Sequence, residues 1–136
     1  MGIAIGIILA VIVLTLIKIR LSQLTIANSI NFYLARSGDK HLTLNMDNLY
    51  ALNHNIEVLK SVVIRHSAIK HGEEFFAYLE NLHGAVKEVI ADKNFLKDIS
   101  DDPDQIPIDK SRQHLKYTFE IMESKNKIES FREKFI

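Results

Sequence analysis

Residues 1–17 read MGIAIGIILAVIVLTLI, without one charged side chain. All 17 basic and all 17 acidic residues of the 136-residue chain come later, in residues 18–136. The zero net charge and the mean hydropathy of +0.02 therefore average two different materials. One is an apolar segment of membrane grade. The other is a strongly charged chain of one-domain size.

In helical form the apolar segment spans roughly 26 Å, close to the ~30 Å of a bilayer core. Ile19 and Leu21 extend it. Lys18 and Arg20 can lay their methylene stems along the apolar layer and reach the headgroups. The segment predicts a transmembrane anchor over residues 1–21. A secretory signal peptide would begin with basic residues and end in a small-residue cleavage site. Nothing basic precedes this run, and Thr25-Ile26-Ala27, the nearest imitation of such a site, lies beyond a charged interruption. N-myristoylation needs Ser or Thr where Gly6 stands. The membrane flanks carry Lys18, Arg20 and Arg36 only on the C-terminal side, which predicts a single pass with the remaining chain in the cytoplasm. Gly2, Gly6 and Ala10 recur every four residues, so they share one face that would let a second transmembrane helix approach closely.

Helical spacing governs the rest. No stretch alternates with period two for long enough to build a sheet. The anchor continues as a juxtamembrane helix over residues 22–36, with Ile19, Ile26, Ala27, Ile30, Tyr33 and Leu34 on one side. Gly38 is its natural C-cap. A bundle domain is expected over 37–136. Its first helix starts near Asn45 or Asp47 and carries the seam Leu49, Leu52, Ile56, Leu59, Val63 and His66. The next follows from Glu73, with Phe75, Leu79, Leu82, Val86, Val89 and Ile90 inward. Gly84 inside it costs about 1 kcal/mol relative to Ala unless a neighbour packs there. Residues 98–109, DISDDPDQIPID, read as an acidic connector without the ligand order of a calcium loop.

The last helix, from about Ile108 to Phe135, is apolar on two sides. Ile108, Leu115, Phe119 and Met122 share one face. Tyr117, Ile121, Ile128, Phe131 and Phe135 fall on nearly the opposite one. Such a helix must bury both faces or expose one to a partner. The second face either wraps against the juxtamembrane helix or docks onto another subunit, and it is the candidate partner face.

The composition excludes several classes of function. Balanced charge argues against a nucleic-acid binder. Zero Cys removes disulfide scaffolds, Cys-ligated zinc and thiol catalysis. No HExxH, P-loop, GxGxxG or GxSxG occurs. Glu80 and His83 match the Glu-x-x-His pair of di-iron bundles, but the second copy such sites need is missing. His83 reads as half-exposed, and His66 as a histidine at the edge of the core. The expected architecture is all-α: an N-terminal single-pass transmembrane helix followed by a three- or four-helix bundle. The expected role is a non-enzymatic accessory or scaffold subunit without a cofactor. Its partners are the lipid bilayer and other membrane-complex subunits or a second copy of itself. A membrane-tethered sensor with a ligand near His66 is the first alternative. A metal-dependent bundle enzyme built on Glu80 and His83 is the second.

Overall fold

The structure, a computed structural model, describes residues 2–91 and 112–136. It is all-α, and an N-terminal apolar helix leads into a bundle. The described residues form four helices: α1 Gly2–Ser37, α2 Met46–Arg65, α3 Gly72–Ala91 and α4 Arg112–Glu133. The acidic connector and Ile108 lie outside the described residues, as does the side chain of Leu115.

Helix α1 runs unbroken for 36 residues from the apolar segment into the bundle. Its outer half buries nothing, whereas Ile26, Ala27, Ile30 and Tyr33 are core residues. The juxtamembrane stretch is thus a wall of the bundle. Ile19, on the same side of the helix, stays exposed because it lies below the level at which α2 and α4 begin to pack. Helix α1 stops where expected: Gly38 takes φ +48°, and its N–H bonds the Leu34 carbonyl at 2.9 Å.

Asn45 caps α2 by accepting the Asn48 backbone N–H at 2.9 Å. The seam Leu49, Leu52, Ile56, Leu59 and Val63 is buried along its whole length. A tight connection, residues 66–71, returns the chain into α3. Gly72 is needed here, because a Cβ at this position would meet the Ser67 backbone at 2.6 Å. Helix α3 buries Phe75, Leu79, Leu82, Val86 and Val89.

Neighbouring helices run antiparallel. Asn55 reaches Ser37 and His66 reaches Ser22, so α2 descends beside α1. Lys125 faces Asp39 and Arg132 donates to Asn31, so α4 also descends beside α1. Helix α3 packs against α2 and α4, which closes the ring. The apolar residues of all four helices form one core, whose burial is the main force holding the bundle together.

Candidate interaction surfaces

The last helix corrects an expectation. Ile121, Ile128 and Phe135 are buried in the protein's own core, at 0%, 0% and 1% exposure. Tyr117 and Phe131 pack partly against that core. Phe131 stacks on Phe75 with ring centroids 4.7 Å apart, and Phe135 closes on the same ring at 5.8 Å. The face proposed for a partner is therefore occupied by α1 and α3. Ser124 explains why the stripe was hard to read. It is fully buried and completes the seam Tyr117, Ile121, Ser124, Ile128, Phe131, Phe135. Its hydroxyl is satisfied by the Ile121 carbonyl of its own helix, so a polar residue sits in the core without an orphaned group. The opposite face carries the exposed side chains, with Phe119 59% and Met122 38% accessible.

The histidines also differ from expectation. His83 is buried rather than half-exposed, at 5% accessibility. Lys60 Nζ lies 3.3 Å from its Nδ1, and Glu57 lies 3.6 Å from its Nε2. Burial, then the nearby Lys87 and Lys60 charges, push its pKa below the usual imidazole value, and Glu57 pulls the other way. Glu80 is exposed. A lysine occupying the Nδ1 lone pair opposes a cation at the same ring. Among the described residues no group of three or more His, Asp or Glu side chains is arranged to hold a metal. His66 sits at the core edge as expected, its Nδ1 2.9 Å from Ser22 Oγ.

His41 carried no signal in the sequence. It is 1% exposed and lies in the connection between α1 and α2. The Tyr33 hydroxyl and its Nε2 share a hydrogen bond at 2.8 Å. Burial raises the Tyr33 phenol pKa and lowers that of His41, so both groups are held neutral. This buried pair ties the end of α1 to the following turn.

The exposed surfaces define what is free to bind. Residues 2–17 of α1 are apolar apart from Thr15. Of the described helices α1 alone is long and apolar enough to cross a membrane, and none of its most apolar window is buried. Nothing lies within 4 Å of a Cβ built at Gly2 or Gly6, so the small-residue face that also holds Ala10 is open. Lys18 and Arg20 are exposed at the end of this segment. Higher up, a groove of about 330 Å³ runs between α1 and α2. Phe32 and Val58 form its apolar walls, while Asn28, Ser29 and Asn55 supply polar groups. Phe32 is 54% exposed, with the Arg36 guanidinium 4.9 Å above its ring. A second hollow between α3 and α4, about 570 Å³, is lined by charged groups including Glu88, Glu120 and Lys127. The chain matches no known family, no curated protein and no solved structure.

Proposed function

We propose that this chain is a membrane-anchored scaffold or accessory subunit that holds a rigid four-helix bundle at the bilayer surface for other subunits to dock on. The observation that carries this reading is the continuity of α1, exposed and apolar at one end and core-forming at the other. A soluble protein would leave about one bilayer thickness of apolar helix in water, at a large hydrophobic cost. A cleaved signal peptide fits poorly too. Cutting after Ala27 would remove Ile26 and Ala27, which are 0% and 5% exposed in the core. Lys18 and Arg20 favour the cytoplasmic side for the bundle. In the bilayer, Gly2, Gly6 and Ala10 offer a face for self-association or for another subunit's helix. Outside it, the α1–α2 groove suits an apolar anchor side chain of a partner subunit.

Purification of the full-length protein in mild detergent tests this. A stoichiometric partner should accompany it, and Phe32→Glu or Val58→Glu should release that partner while the melting temperature holds. A folded variant that keeps its partner places the docking surface elsewhere. Phe131→Glu is unsuited to this purpose, since it would put a charge against Phe75 and unfold the bundle. The groove also favours a second reading as a sensor, because its size and its mixed lining lie at the small end of ligand sites. A small molecule binding there would raise the melting temperature of the partner-free protein, and Asn55→Leu would abolish the shift.

A further inference from the structure

We infer that the membrane-facing end of the bundle, where α2 turns into α3, is a docking face for anionic lipid headgroups. This rests on the reading of residues 1–21 as a membrane anchor. Helix α1 then acts as a depth gauge. The bond between Ser22 Oγ and His66 Nδ1, 2.9 Å long, holds the end of α2 at the level of Ser22. Ser22 stands only about 3 Å along the helix axis from Arg20, the residue placed among the headgroups. Because α2 descends toward the membrane and ends at Arg65, the connection over residues 66–71 begins at that level. Each headgroup layer is roughly 5–8 Å deep, so the turn lies within it.

The chemistry of this end matches that position. Lys18, Arg20, Arg65 and Lys70 gather here, and among the described residues none of the four has a carboxylate partner. Of the acids nearby, Glu74 is engaged by His71 and Lys134 and Glu133 by Arg132, which leaves Glu73 against the four cations. Ile64 is 54% exposed in the last turn of α2, beside Arg65. An apolar side chain among unpaired cations is the composition that favours an anionic bilayer interface. The bundle therefore rests on the membrane through a second contact beside the anchor, and that contact fixes its tilt.

The chain has no Cys, so single-cysteine variants can be labelled without background. The full-length protein would carry a fluorophore at Leu9→Cys, Ile64→Cys or Tyr50→Cys, in nanodiscs of phosphatidylcholine with or without phosphatidylserine. Lipids brominated near the headgroup end of the chain serve as quencher. The expected result is strong quenching at residue 9, clear quenching at residue 64 that grows with phosphatidylserine, and none at residue 50. Adding Arg65→Glu and Lys70→Glu should remove the phosphatidylserine dependence, with the circular dichroism unchanged. If residue 9 is quenched while residue 64 behaves like residue 50, the docking face is wrong and the anchor stands. Quenching at residue 64 that ignores both lipid charge and charge reversal also overturns the anionic assignment. If residue 9 itself escapes quenching, the anchor reading fails and this inference with it.

Discussion

The two halves of α1 share a backbone and differ in what their side chains are for. In residues 2–21 the apolar side chains surround the helix and are all exposed. In residues 22–37 they narrow to one stripe, and Ile26, Ile30 and Tyr33 vanish into the core. An all-round apolar helix needs an apolar solvent, while a striped one needs a partner helix. One continuous helix thus carries both patterns, and the proposed membrane boundary falls where the pattern changes.

Substitutions of equal size in the two halves should separate these roles. Ile30→Ala leaves a hole in the core and should cost the bundle about 2–5 kcal/mol, read by denaturant unfolding in detergent. Leu9→Ala should leave that unfolding curve unmoved; a matching loss would mean that the outer half supports the bundle. The reverse contrast uses charge. Val11→Arg should penalise membrane insertion by about 2.5–3.5 kcal/mol and shift protein into the soluble fraction. The released bundle should melt as before.

Acidity draws the same line more gently. Residues 2–17 contain no titratable side chain, so membrane retention should not change between pH 7 and 5. The bundle should lose stability over that range. His41 and His83 have pKa values lowered on folding, so the unfolded chain binds more protons below its histidine pKa of about 6.5. Their contribution is complete above that pH and fades as pH falls toward the folded values. Glu74, also lowered, would withdraw its contribution only below the ordinary carboxylate range. His83→Gln should flatten the melting temperature against pH; an unaltered slope would assign the effect to other groups. The smallest effect is a gain. Gly84 is exposed with open space at its Cβ position. Gly84→Ala should therefore stabilise the bundle by up to about 1 kcal/mol, measured by the same unfolding curve.

Much of this was legible in the residues because burial repeats with helical period. The α2 seam and the α3 stripe were readable for that reason, as were Asn45 and Gly38 at their helix ends. Helix α4 was ambiguous because two apolar stripes compete and the true one contains Ser124. Only the closing of the ring by α1 and α3 decides between them. His41 and His83 were opaque for another reason. A histidine's burial depends on who faces it, and Tyr33 and Lys60 reach them from 8 and 23 residues away in the chain. The proposed docking groove was the least legible, since it combines α1 and α2 and exists only once they pack.

An unbroken helix also carries a phase. With about 100° per residue, Gly2, Gly6 and Ala10 point roughly 130° away from the side of α1 that enters the core. The α1–α2 groove lies about a quarter turn from that small-residue face. Two copies joined through the glycines would hold their bundles on opposite sides of the pair, with both grooves still open. One residue inserted between Leu21 and Ser22 would swing each bundle by about 100° while leaving every contact inside it intact. The azimuth at which this protein offers its surfaces is thus written in the number of residues between anchor and core.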